Sequence, residues 1–203
     1  MSTNAWYRIR YTLQAPFYDR IVTFPGERKH SIDLLRLQAG ERALIVGAGT
    51  GADLPFMPAN VEVLAVDLTA AMLTRARRYA RPGMTFDVMD AHALSLPGAC
   101  VDAVVLHMVL EVVRYPERCL REAARVLRPG GRIAIFDKFI DEGRALSVFE
   151  RTGLHLLNLV FTSTNRAMGD ILRSAGVALD VEHDEAATHR PYRYVLLRKP
   201  HGG

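Results

Sequence analysis

From residue 42 onward, short aliphatic and β-branched runs recur at regular intervals, separated by stretches whose apolar residues fall at helical spacing. Residues 43–46, 61–66, 84–89, 102–107 and 132–136 each predict a buried strand. Thr69 is placed to N-cap a helix over 70–79, and Pro116 opens a second helix that runs to Leu127 and stops at Pro129-Gly130-Gly131. The runs do not alternate apolar with polar, so both faces of the sheet are covered, which is the signature of parallel strands joined by helical crossovers in an α/β fold.

The flanks differ. Before the first strand, residues 5–37 predict helical segments interrupted by Pro16 and Pro25, with six aromatics in the first 24 positions: Trp6, Tyr7, Tyr11, Phe17, Tyr18 and Phe24. After Lys138 a long, largely helical stretch over 146–173 closes at Gly176, and two extended runs follow at 177–183 and 192–197, predicting a terminal antiparallel pair. With no internal repeats or low-complexity linkers, 203 residues predict one domain: a helical lid (1–40), a core (41–138), a helical cap (139–176) and the terminal strand pair (177–203).

Composition narrows the class. With 49% hydrophobic and 24% charged residues the chain is of ordinary globular type, which excludes disordered and fibrous classes. Two cysteines, Cys100 and Cys119, are too few and too far apart for a redox pair or a metal cage, so no metal site is implied and a reducing, cytoplasmic compartment is expected. No apolar stretch approaches the ~20 residues that span a bilayer, and no signal peptide is visible. The net charge of +4 permits attraction to an anionic lipid surface.

The chemistry begins where the first strand runs into Gly47-Ala48-Gly49-Thr50-Gly51. Such glycines allow a tight turn and let a ligand approach bare peptide. Asp67 ends the second strand 20 residues after Gly47 (67 − 47), where a carboxylate can accept both hydroxyls of a ribose. The pair predicts a ligand of adenosine type. Because Gly47-x-Gly49-x-x-Ala52 also satisfies the dinucleotide fingerprint, an NAD(P)-dependent oxidoreductase stays open, as does a nucleoside-binding protein without turnover.

Five segments decide between cofactors: 47–51, Val66-Asp-Leu-Thr-Ala-Ala-Met-Leu73, Met89-Asp-Ala-His-Ala-Leu-Ser-Leu-Pro97, Val101-Asp-Ala-Val104 and Leu127-Arg-Pro-Gly-Gly131. In these segments and their order, the chain resembles the class I S-adenosylmethionine-dependent methyltransferases. The resemblance is to the branch of bacterial phosphatidylethanolamine N-methyltransferases and ubiquinone/menaquinone C-methyltransferases. It implies a Rossmann-like, seven-stranded, mostly parallel sheet with helices on both faces, an N-terminal helical lid and a helical insert after the fifth strand.

The resemblance also implies residue roles. Gly47, Ala48, Gly49 and Gly51 would hold the methionine part of S-adenosyl-L-methionine, Asp67 its ribose, and Leu68 and Met72 one face of the adenine. Asp90 would accept from the adenine amino group, with the Ala91 amide nearby, and Leu106 would lie beside the sulfonium. Tyr11 and Tyr18-Asp19 match a motif on a helix that folds over the cofactor in phospholipid N-methyltransferases. One departure stands out: related chains carry Asp or Glu two residues before the first glycine, orienting the cofactor's amino group, and this chain has Ile45, leaving Tyr11 or Tyr18 as compensating groups.

Methyl transfer from a sulfonium depends on alignment and exclusion of water, so the lack of a catalytic triad is no obstacle. An acceptor that needs a base would find His107 best placed, with Asp137, Lys138 and His155 as further candidates. The fourth strand ends in Leu106-His-Met-Val109 rather than the Asn/Asp-Pro-Pro-aromatic clamp of many nucleic-acid amino-methyltransferases, so no nucleic-acid partner is expected. The expected acceptor is a small molecule or phospholipid, phosphatidylethanolamine first and a quinone second. Peripheral contact with an anionic membrane is expected through the aromatic, Arg-bearing N-terminal segment.

Overall fold

The computed structural model describes residues 24–139, 166–189 and 191–201. Helix α1 (Pro25–Leu34) leads into strand β1 (Arg42–Val46), a 3-10 turn at Leu54–Phe56 and strand β2 (Glu62–Asp67). Helix α2 (Ala70–Ala76) continues as a 3-10 turn, Arg77–Tyr79, before β3 (Met84–Val88) and β4 (Val101–His107). Then come helix α3 (Pro116–Val126), β5 (Leu127–Lys138), helix α4 (Met168–Ala175), β6 (Asp180–Ala186) and β7 (Tyr192–Arg198).

The seven strands form one sheet in the order β3-β2-β1-β4-β5-β7-β6. The first five run parallel, and β7 pairs antiparallel with both β5 and β6. Residue parity builds the two faces. Leu44, Val46, Leu64, Val66, Val104 and Leu106 pack with α3 and α4, while Ala43, Ile45, Val63, Ala65, Ala103 and Val105 pack with α1 and α2. A central parallel strand thus buries every side chain, and the apolar runs lack alternation for that reason. The predicted α/β sheet with helices on both faces is the one observed.

Several boundaries differ from expectation. Strand β3 is at the edge and largely exposed, with Val88 at 47%, rather than buried. Strand β5 starts at Leu127 and runs through Pro129-Gly130-Gly131, because the C-terminal segment pairs there: the Gly130 amide donates to the Lys199 carbonyl and the Lys199 amide to Gly131. Strand β6 begins three residues later than predicted, since Val177 and Leu179 pack onto the core as a connection. Thr69 occupies the N-cap position of α2, but its side chain makes no capping bond. Gly176 closes α4 as expected, left-handed at φ 62° with its amide donating to Leu172. Pro25 sits in the first turn of α1. The rest of the predicted lid and cap, including Tyr11, Tyr18 and His155, lies outside the described residues.

Candidate active site

Strand order reverses between β1 and β4, since the chain leaves β1 toward β2 and β3 and later returns to the other side. In parallel sheets, ligands bind outside the carboxyl ends of the strands at that switch point. An open cleft with about 1110 Å³ of empty space, its mouth included, lies there. Its walls come from the glycine turn, the start of α2, the β3–β4 connection, the segment after β4, and α1.

Gly47 turns the chain at φ 68°, and a Cβ there would come within 2.6 Å of Val109 Cγ2. At Gly49, also left-handed, a Cβ would meet nothing closer than 3.9 Å, so the peptide faces open space. Asp67 closes the turn: one carboxylate oxygen accepts the Gly49 amide and the other the Thr69 amide, both at 2.9 Å. Burial raises this carboxyl above the ordinary carboxylate range, against the pull of those amides. A carboxylate offers about four acceptor positions, so two amides leave capacity for a vicinal diol. That capacity and the bare Gly49 peptide fit a ribose carrying an extended tail.

At the β3 side, Asp90 Oδ1 accepts the His92 amide at 2.9 Å and lies 2.7 Å from His92 Nδ1. The Tyr115 amide donates to His92 Nε2, which assigns the ring proton to Nδ1. Leu68, Met72, Met89, Ala91, Val112 and Val113 add apolar wall. Arg114 also lines the cleft and, with Arg118, lies over the half-exposed Tyr115 ring at 5.1 and 4.7 Å.

At the β4 side is a buried polar network. His107 Nδ1 lies 2.7 Å from Asp53 Oδ1, and the Ser31 hydroxyl is 2.9 Å from Nε2. Arg28 Nη1 donates to the same Asp53 oxygen at 2.8 Å, and Nη2 lies 3.4 Å from Met108 Sδ. Burial alone would raise the Asp53 carboxyl; Arg28 and His107 outweigh it and hold the group below the ordinary range. Beyond the cleft, Asp137 at the end of β5 accepts the amides of Lys138 and Glu111. Complete burial, then the neighbouring Glu111 carboxylate, push it up to about 8, while Lys138 lies 3.3 Å from Glu111.

The cleft therefore gathers Gly47, Ala48, Gly49, Asp67, Leu68, Met72, Asp90, Ala91 and His107. Two expected cofactor residues are elsewhere. The Leu106 side chain is fully buried in the layer under α3, because parity on β4 sends it to the opposite face from His107. Gly51 packs on α2 instead, where a Cβ would lie 2.9 Å from Ala76 Cα. Of the base candidates, His107 has both ring nitrogens engaged, and Asp137 and Lys138 do not line the cleft. Sequence reasoning missed Arg28, Ser31 and Asp53. The signal for the first two was present: Arg28, Ser31, Ile32 and Leu35 follow the i, i+3, i+4, i+7 spacing of an inward helix face, with two polar residues on it.

A mostly parallel sheet with an open cleft at its switch point defines a doubly wound α/β protein with room for a ligand there. Residues 44–135 match the family model of the methyltransferase domain. In that segment the chain is similar to methyltransferase domains, a likeness that points to S-adenosylmethionine as the cofactor. A phosphatidylethanolamine N-methyltransferase of Cereibacter sphaeroides is 38% identical over 56% of this chain and 62% of its own length. A demethylmenaquinone methyltransferase of Renibacterium salmoninarum is 35% identical over 53% of this chain and 46% of its own. The crystal structure of the [4+2]-cyclase SpnF superposes with a TM-score of 0.79 at 16% identity, covering 98% of this chain and 97% of that one, which shows the shared fold. The chain spans between about two fifths and three fifths of the length of such curated relatives.

Proposed function

We propose that the protein transfers a methyl group from S-adenosylmethionine to a small-molecule or lipid-like acceptor, with the amine of phosphatidylethanolamine as the favoured one. The observation that carries the transfer reading is Asp67, tied by two amides to the glycine turn and the α2 start with acceptor capacity remaining. When bound, the cofactor supplies an electrophilic methyl on a sulfonium. The chain's own part is positioning: Asp67 grips the sugar, Gly47 and Gly49 admit the tail, Asp90 and Ala91 take the base edge, and Leu68 and Met72 cover its face. Met89, Val112 and Val113 keep water from the reacting centre. An amine acceptor needs only to arrive neutral, its proton leaving to solvent after transfer, so the engaged state of His107 is compatible with turnover. His107 then acts as a spacer at the cleft floor.

The relative named for phosphatidylethanolamine methylation supports the lipid amine, and the cationic, aromatic Arg114-Tyr115-Arg118 rim suits a phosphate-bearing headgroup. The relative named for demethylmenaquinone supports a quinone as second reading. Among the described residues no helix is long and apolar enough to cross a membrane, so a lipid acceptor would be met at the surface. The test is incubation with radiolabelled methyl donor and vesicles of phosphatidylethanolamine mixed with an anionic lipid, at low and high salt, beside a demethylated quinone. Label in the phospholipid that falls with salt supports the favoured reading. Label only in the quinone selects the second, and binding of S-adenosylhomocysteine without transfer to either refutes both.

A further inference from the structure

His92 lines the cleft between the base-side wall and the Arg114-Tyr115-Arg118 rim, with 18% of its side chain exposed. Both ring nitrogens are engaged, each by a different wall. Nδ1 donates to Asp90 Oδ1 at 2.7 Å, and the same oxygen accepts the His92 amide at 2.9 Å. Nε2 accepts the amide of Tyr115, 23 positions further along the chain, at 3.3 Å. A neutral imidazole has one donor and one acceptor, so a single tautomer makes both contacts.

On the first wall, two donors on one oxygen stop the Asp90 carboxylate from turning about its Cβ–Cγ bond, which sets the direction of the second oxygen as well. The backbone beneath is closed too, since the Ala93 amide donates to the Asp90 carbonyl at 3.0 Å. Asp90 therefore meets the cleft with a fixed aim. Such a carboxylate accepts from the exocyclic amino group of adenine and repels the carbonyl oxygen that hypoxanthine carries in its place.

On the second wall, Tyr115 immediately precedes Pro116, the first residue of α3. Its ring meets the His92 ring edge-on with centroids 5.9 Å apart, and Arg114 and Arg118 lie over it. A ring that only braced the Asp90 turn would use Nδ1 alone. The Nε2 contact joins the two walls and sets the cationic rim relative to the base reader.

We propose that His92 is a positioning residue with two separable tasks: through Nδ1 it aims Asp90 at an amino-bearing purine, and through Nε2 it fastens the Arg114-Tyr115-Arg118 rim to the base-side wall. The inference rests on the methyl-donor reading of the cleft. Selectivity for the base and placement of the rim thereby depend on opposite sides of one imidazole.

Shape-matched substitutions separate the tasks. His92→Asn keeps an amide donor near the Nδ1 position and has nothing at Nε2, His92→Gln reaches the Nε2 position with its amide oxygen and leaves Nδ1 empty, and His92→Ala removes both. Calorimetric titration with S-adenosylhomocysteine and S-inosylhomocysteine reads the first task, and hydrogen exchange of the Tyr115 amide followed by NMR reads the second, without any acceptor or turnover. The wild-type protein prefers S-adenosylhomocysteine by at least about 10-fold. His92→Asn retains that preference, whereas His92→Gln and His92→Ala lower it below about 3-fold. Tyr115 exchange stays slow in His92→Gln and quickens at least about 10-fold in His92→Asn and His92→Ala. A native melting transition is the control for each variant, and the Asn and Gln variants carry the comparison even where His92→Ala does not fold. An unchanged base preference in folded His92→Gln, an unchanged Tyr115 exchange in folded His92→Asn, or equal weakening of both ligands in every variant overturns the proposal. A wild-type protein that binds both ligands alike overturns it too, while leaving the methyl-donor reading intact. Binding of neither ligand refutes that reading, and this inference with it.

Discussion

Replacing Asp67 with Asn isolates the residue on which the cofactor reading turns. The carboxylate now satisfies the Gly49 and Thr69 amides with its two oxygens, each at 2.9 Å. Asn has one oxygen and one NH2, so whichever way it turns, one backbone amide faces a donor. Leaving such a group unsatisfied costs about 1–3 kcal/mol, which urea denaturation would register. On the ligand side, a charged acceptor for the ribose is lost. A hydrogen bond to a charged group contributes about 1.5–3 kcal/mol, so affinity for S-adenosylhomocysteine should fall about 10- to 150-fold. Because the ribose is common to both ligands, adenosine should lose the same factor. The wild-type protein adds a pH signature. Burial raises the Asp67 carboxyl, and its ionised form accepts from the ribose. Wild-type affinity therefore climbs as pH rises through that raised value and then levels, while Asp67→Asn shows no such climb. Calorimetry over a pH series that starts within the ordinary carboxylate range and runs upward reads both effects. An unaltered affinity, or a loss for S-adenosylhomocysteine alone, would refute the placement of the ribose at Asp67.

Four further expectations concern the frame around the cleft. Gly51→Ala forces a side chain into a backbone at φ 89° with its Cβ 2.9 Å from both Ala76 Cα and Leu54 Cδ1, so denaturation should show a loss of at least about 2 kcal/mol. Gly26→Ala, in open space within α1, should change stability by less than about 1 kcal/mol. Asp137 keeps its proton to about pH 8 when folded but releases it near the ordinary value of about 4 when unfolded, so wild-type stability should decline across that window and level above it. Thermal melts of Asp137→Asn from pH 4 to 9 should show a flatter profile; an equally steep one would assign the slope to other groups. Burial pushes the Cys119 thiol up to about 12, so a thiol reagent at pH 8 should modify Cys100 in the native protein and reach Cys119 only after unfolding.

The central sheet was legible because parallel strands covered on both faces leave an unbroken aliphatic run, as at residues 43–46. The same cue misled at its margins. Residues 84–88 carry Met, Phe and Val like an inner strand, yet nothing in a short run reveals that no further strand pairs beyond it. Pro129-Gly130-Gly131 carries the strongest local stop signal in the core, and pairing with residue 199, about 70 positions later, overrides it. Residues adjacent in sequence to a strand end, such as Gly47, Asp67 and Asp90, line the cleft because strand termini place them there. Leu106 and His107 were assigned to the chemistry together, though a strand can present only one of two successive side chains to a given face.

The substituted acid at position 45 shows why the remainder of the site was not legible. In isolation, Ile45 at the end of β1 reads as a missing acid that Tyr11 or Tyr18 makes up. In the structure the polar group at that end of the cleft is supplied from three places: Arg28 and Ser31 on α1, Asp53 in the turn after the glycines, and His107 on β4. Arg28 and Asp53 are 25 positions apart, and Ser31 and His107 are 76. No local spacing rule joins residues so distant, whereas burial does. Each of the four is at most 5% exposed, and charged or polar groups survive at that depth only when paired, so placing one in the core obliges the others to be there. An acid at position 45 would be buried in an apolar layer among Ala43, Val105 and Leu54, a costly place for a carboxylate. The four side chains therefore form one interdependent unit, and the loss of any one leaves a buried polar partner without its hydrogen bond.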